Sequence, residues 1–127
     1  MISENLWYAY TQVRFEFEQS VIKGDFCIIT AWNPRSIRLS KEQNQERNHQ
    51  LQQWLTDYDW MYVTVVSHDG HWYEESFAVN ISFNDALLLA NRLSQNAIYQ
   101  IKDGLVILRS SLDQQRLNLG PLVDFID

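Results

Sequence analysis

Residues 60–81, WMYVTVVSHDGHWYEESFAVNI, decide the fold. Two runs rich in β-branched and aromatic residues flank Asp69-Gly70, a dipeptide suited to the two-residue type I′ turn, in which both central residues take positive φ. A hairpin closed there pairs Val66 with Tyr73, Val65 with Glu74, Thr64 with Glu75 and Val63 with Ser76. Because strand side chains alternate, Trp60, Tyr62, Val66, Tyr73, Phe77 and Val79 share one face with Glu75. Met61, Val63, Val65, Trp72 and Ala78 share the other with Glu74 and Ser76. Both faces are largely apolar, so the hairpin belongs inside a covered sheet. Each face nevertheless carries one carboxylate.

Outward from the hairpin, SKEQNQERNHQLQQWL (40–55) reads as a helix. Ser40 and Gln43 form a capping box. The stripe at helical spacing is Asn44, Asn48, Leu51 and Leu55, with Arg47 and Trp54 alongside. Its second half is ordinary core; its first half carries amides and a guanidinium where leucine is expected. Upstream, CIITAWNPRS (27–36) ends a strand predicted over 26–32, apolar on both faces and therefore central. Pro34 cannot continue a ladder and favours an extended residue before it, here Asn33. A turn at Lys23-Gly24-Asp25 precedes this strand. Before the turn Val13, Phe15 and Phe17 alternate with polar residues as a further strand, and Ser3 caps a short helix through Ala9.

Downstream, Ser82 caps a helix with the stripe Phe83, Ala86, Leu87, Ala90 and Leu93, and Asp85 suits its first turn. Asn96 stands where a left-handed residue closes such a helix. A second hairpin turns at Asp103-Gly104, and residues 111–127 read as a docked extension. The order α-β-β-α-β-β-α-β-β predicts an α+β, two-layer domain over 1–127. In it an antiparallel-rich six-stranded sheet carries two main helices, mostly on one face.

The 127 residues carry a net charge of −6. Nucleic-acid binding depends on neutralising phosphates, which disfavours that role here. No apolar run reaches the ~18 residues of a membrane span. MISENLWYAY lacks a basic segment followed by an apolar one, so no secretory leader is expected. The lone Cys27 lies within an apolar strand and reads as a buried hydrophobe, which points to the cytoplasm.

Phosphate-binding loops, dinucleotide fingerprints, nucleophile elbows and CxxC pairs are absent, and no cofactor is expected. His68 and His71 flank the turn and are read as a cross-strand pair with no third ligand, so no metal is expected. Neither Cys27 nor Ser76 has a histidine placed to activate it. What remains is a polar constellation: Thr30, Asn33, Asn44, Arg47, Asn48, Glu74, Ser76, Gln95 and Asn96. These residues either satisfy one another and the loop backbone or converge on a small polar ligand, with Trp32 or Trp72 as a wall.

TAWNP (30–34), the Asn-containing helix, WYEESF (72–77) and SQNAIY (94–99) carry a resemblance. Over about residues 8–108 the chain resembles a bacterial family of short uncharacterised proteins, the domain-of-unknown-function family three-two-nine-three. The resemblance implies a small stand-alone bacterial domain and supplies no activity, ligand or catalytic residue. Its signature falls on the polar constellation, with Glu74 and Ser76 matching the motif. The expectation is a non-catalytic binding or interaction module for a small polar ligand or a protein partner. The alternative is a small hydrolase or lyase using Glu74 as general acid or base. Asn33, Asn44, Asn48, Glu74 and Gln95 are expected to meet in one layer, where Glu74 finds Arg47, amides, water or a ligand.

Overall fold

The structure, a computed structural model, describes residues 2–21 and 23–126. Its elements run α1 (Glu4–Thr11), β1 (Val13–Phe17), β2 (Phe26–Ile29), α2 (Lys41–Trp54), β3 (Trp60–Ser67), β4 (Tyr73–Val79), α3 (Phe83–Arg92), β5 (Ala97–Lys102), β6 (Leu105–Ser110) and β7 (Arg116–Pro121). Single 3₁₀ turns add Pro34–Ser36 and Leu122–Phe125. One sheet in the order β1-β3-β4-β2-β5-β6-β7 holds all the strands, paired antiparallel. The sheet thus has seven strands rather than six. The seventh comes from the tail, whose polar outer residues and Gly120-Pro121 hid its strand character. β2 is central, as its two apolar faces require.

The sheet curls, and Ile126 forms a parallel bridge to Phe15 on β1, tying one end of the sheet to the other. α2 and α3 lie on the convex face, where Leu51, Leu55, Ala86, Ala90 and Leu93 pack on Cys27, Ile29, Phe77 and Val79. The concave face closes on Phe15, Phe26, Ile28, Val63, Val65, Tyr99 and Leu108, roofed by Trp7 and Tyr10 of α1 and by Phe125. Phe125 stacks on Phe15 with centroids 5.7 Å apart. Each buried aromatic or aliphatic side chain here contributes about 1.5–3 kcal/mol.

The Asp69-Gly70 hairpin keeps the expected register, Val66 opposite Tyr73 and Val63 opposite Ser76, but its loop is longer. Gly70 N–H donates to Ser67 O at 3.0 Å, and Asp69 is not at positive φ, which rules out type I′. Asp69 Oδ1 instead accepts from Ser67 Oγ (2.7 Å) and His71 N–H (2.9 Å), and Ser67 Oγ accepts from Trp72 N–H (3.1 Å). Local side-chain bonds to the backbone outcompete the tight turn. One residue leaves each strand, so the faces stay put. The histidines are not a cross-strand pair: His68 Nε2 donates to Val13 O at 2.9 Å, and His71 Nδ1 lies 3.3 Å from Asp69 Oδ2. The type I′ pattern occurs at Asp103-Gly104, with φ of 52° and 77°.

Candidate functional site

The feature that builds the site is a notch in the sheet. β2 pairs with β4 only from Cys27–Val79 to Ile29–Phe77, and with β5 only from Phe26–Ile101 to Ile28–Tyr99. It stops at Ile29, three residues short of the strand expected over 26–32. Glu74, Glu75 and Ser76 on one side, and Ala97 and Ile98 on the other, therefore lack a β2 neighbour. The loop after β2 fills this gap and bends sharply. Asn33 (φ 48°), Arg35 (φ 54°) and Ser36 (φ 60°) all lie in the left-handed region. Asn33 is thus not extended, although Pro34 follows it. Such residues cost of order 1–3 kcal/mol each and persist only where surrounding bonds over-determine them.

Most of those bonds come from α2 on the convex side. Asn48 accepts from Ala31 N–H (2.9 Å) and donates to Glu75 O (2.8 Å), so its amide replaces a missing ladder pair. Thr30 Oγ1 donates to the same carbonyl at 2.8 Å. Asn44 accepts from Asn33 N–H and donates to Asn33 Oδ1, both at 2.9 Å, and Leu39 N–H donates to that oxygen at 3.0 Å. Arg47 donates from Nε to Ala31 O at 2.6 Å and from Nη2 to Leu93 O. Gln95 Nε2 donates to Trp32 O at 2.9 Å. These residues explain the polar half of the helical stripe: their partners are backbone groups that the notch leaves without a ladder. Ser94, just beyond the Leu93 cap of α3, takes the left-handed conformation (φ 57°) expected of Asn96. Ser94 O accepts from Arg35 N–H at 2.7 Å.

Glu74 and Ser76 lie on the other, concave side, so the constellation does not share one layer; the loop passes between the faces. Asn33 Nδ2 reaches through to Glu74 Oε2 at 3.3 Å. Arg47, an expected partner of Glu74, is committed to the loop. Ser76 Oγ donates to Glu74 O at 3.0 Å. Beside them Asn96 Nδ2 donates to Tyr10 Oη (3.1 Å) and Ser36 Oγ (3.2 Å), which lie 2.6 Å apart. Tyr99 Oη donates to Tyr10 O at 2.6 Å. The strained loop is therefore pinned to α1 as well.

Glu74 stands between two cavities. The inner one, about 40 Å³, lies against Thr30, Ser76, Asn96 and Tyr99. It is large enough for water and too small for a metabolite. The outer one, about 350 Å³, is walled by Trp32, Trp72 and Tyr73, with Arg38, Lys41 and His71 also on its lining. Asn33, Ser36, Tyr10 and Trp72 border both. Burial pushes the Glu74 carboxyl up to about 7, and the Asn33 hydrogen bond offsets this only in part. The Trp32 indole N–H is buried with no acceptor among the described residues. Tyr10 and Ser36 carried no sequence signal for a site, since each enters through contacts distant in sequence. Burial holds the Cys27 thiol up at about 12, which leaves it un-nucleophilic at neutral pH. Among the described residues no three His, Cys, Asp or Glu side chains are grouped to hold a metal ion.

The sequence profile of the family described as "Protein of unknown function (DUF3293)" matches residues 29–98. The chain belongs to this family. The matched segment runs from the end of β2 into β5 and contains the notch loop, α2, the β3–β4 hairpin and α3. Every residue of the polar constellation falls inside it, whereas Tyr10 and Tyr99 lie outside. Comparison with curated proteins and with solved structures gives no match.

Proposed function

We propose that this protein is a non-catalytic binding module of the bacterial cytoplasm that takes a small polar ligand in the outer cleft, with Glu74 and Asn33 at its floor. The observation that carries the reading is the state of Glu74. It is half-buried, among the described residues its carboxyl has a single hydrogen bond, at 3.3 Å, and it faces a cavity of about 350 Å³ with aromatic walls. A carboxylate has about four acceptor positions, and leaving them unmet in a desolvated site is costly. A bound donor removes that cost. The family signature and the strained Asn33 support the same place. A thermal-shift screen against metabolites tests it: a ligand raises Tm by mass action, and Glu74→Gln abolishes that rise. Ligands whose Tm rise survives Glu74→Gln, with resonance shifts remote from the cleft, would contradict it.

A second reading rests on the same carboxyl. A group poised near 7 suits general acid or base chemistry at neutral pH, and the inner cavity has room for a water beside it. A hydrolase or lyase would keep binding and lose turnover in Glu74→Gln, whereas a binding module loses the ligand.

A further inference from the structure

We propose that α1 is a lid over Glu74, latched by Tyr10, and that its release joins the inner cavity to the outer cleft. The lid belongs to the free chain and holds for either reading of Glu74.

The wall between the two cavities is shared by Tyr10, Asn33, Ser36, Trp72 and Glu74. Four of these are fixed by the sheet, the hairpin loop or the notch loop. Asn33 is held by Asn44 and Leu39, and Ser36 N–H donates to Asn33 O at 2.8 Å. Trp72 N–H donates to Ser67 Oγ, and Glu74 stands in the β3–β4 ladder. Tyr10 alone comes from an element outside the sheet. The buried Ile2 and Val13 anchor the two ends of α1, yet none of its own residues is buried. Among the described residues, every hydrogen bond from α1 to a distant part of the chain runs through Tyr10. Its Oη meets Ser36 Oγ at 2.6 Å and accepts from Asn96 Nδ2 at 3.1 Å, and its carbonyl accepts from Tyr99 Oη at 2.6 Å.

There is space for the movement. On one flank of α1, Leu6 and Ala9 border the outer cleft. On the other, Trp7, Tyr8 and Thr11 face a groove of about 770 Å³ that reaches Leu117 on β7. A helix of eight residues is marginal without tertiary packing. α1 therefore keeps its place through Trp7, which packs on the concave core, and through the Tyr10 latch. Elements with few buried contacts open locally, at less cost than global unfolding. A turn of α1 towards the groove lifts Tyr10 off Ser36 and Asn96. The inner cavity then opens on the cleft, and Glu74, Ser76 and Tyr99 face one continuous space. Water entering that space takes up the hydrogen bonds that Tyr10 leaves behind.

The test is native-state hydrogen exchange of the full chain in urea below the unfolding transition, joined to thiol labelling of the inner cavity. The α1 amides are expected to exchange through an opening that urea barely affects, whereas Val63 and Val65 in the ladder exchange with the steep urea dependence of global unfolding. Tyr10→Phe keeps the ring and removes both Oη bonds, so it should speed α1 exchange about tenfold. Ser76→Cys puts a thiol in the inner cavity. Methyl methanethiosulfonate should label it at a rate independent of urea, and adding Tyr10→Phe should raise that rate about tenfold. Cys27, buried on the other face, is the internal control that reacts only on unfolding. The inference is overturned if the α1 amides share the urea dependence of the ladder, or if Ser76→Cys is labelled no faster than Cys27. Fast exchange that Tyr10→Phe leaves unchanged is fraying without a latch, and overturns it too. The exchange arms stand even if Ser76→Cys folds poorly. None of these outcomes needs a ligand, so a failed ligand screen and a failed lid are told apart.

Discussion

The two sides of the notch loop treat polar side chains in opposite ways. On the convex side Asn44, Arg47 and Asn48 spend their hydrogen bonds on the loop or on backbone beside it. On the concave side Glu74 has one bond at 3.3 Å and a carboxyl pushed up by burial to about 7. The first group is what a fold needs when a central strand stops early. The second is what a fold would discard if stability were the only demand, because natural proteins keep such liabilities where function requires them. Buried polar residues close in space therefore divide by their partners rather than by their type.

If this division is right, truncation on the convex side should be costly and truncation on the concave side should not. The largest effect is expected for Arg47→Leu. It removes two charge-assisted bonds, to Ala31 O and Leu93 O, and should lower stability by about 4 kcal/mol. Urea unfolding checks this as a lower midpoint at unchanged slope. A loss of ligand binding at unchanged stability would move Arg47 across the divide.

A somewhat smaller loss, about 3 kcal/mol, is expected for Asn48→Ala, because Ala31 N–H and Glu75 O each lose the amide. Hydrogen exchange sharpens the comparison further. The Ala31 amide should lose protection in Asn48→Ala while the Val63–Ser76 ladder keeps its own. Equal loss at both would show that the notch loop and the hairpin unfold as one unit.

Much of this was legible before any coordinates. The register of the β3–β4 hairpin, the capping box at Ser40 and the central place of β2 follow from local pattern, and all three are present. The seventh strand was not legible, because Arg116–Pro121 offers only two alternating apolar residues, Leu117 and Leu119, before Gly120-Pro121 and is recruited by pairing with β6. Asp69-Gly70 and Asp103-Gly104 share a dipeptide and adopt different turns. The difference lies in Ser67 and Asp69, whose side chains take over backbone donors. At the site, the polar residues of α2 were visible as an anomaly. Their commitment to the loop was not, because periodicity carries no information on where β2 ends. Nor was the passage from one face to the other, since Asn33 depends on a left-handed turn ahead of a proline.

The central claim is that Glu74 weakens the free protein and is kept for what it binds. The pH dependence of stability tests it most directly, compared between the native chain and Glu74→Gln. The folded carboxyl titrates near 7 and an unfolded one near 4.3. Between these values the folded state holds the extra proton, so stability falls as pH rises from about 4.5 to 7 and levels off above. Because Glu74 keeps partial exposure, the expected loss is reduced to about 2 kcal/mol. Glu74→Gln should lack this step: it should match the native chain near pH 4.5 and exceed it by about 2 kcal/mol at pH 8. A Glu74→Gln variant less stable than the native chain at pH 8 would show the carboxylate to be a structural anchor, and would contradict the account.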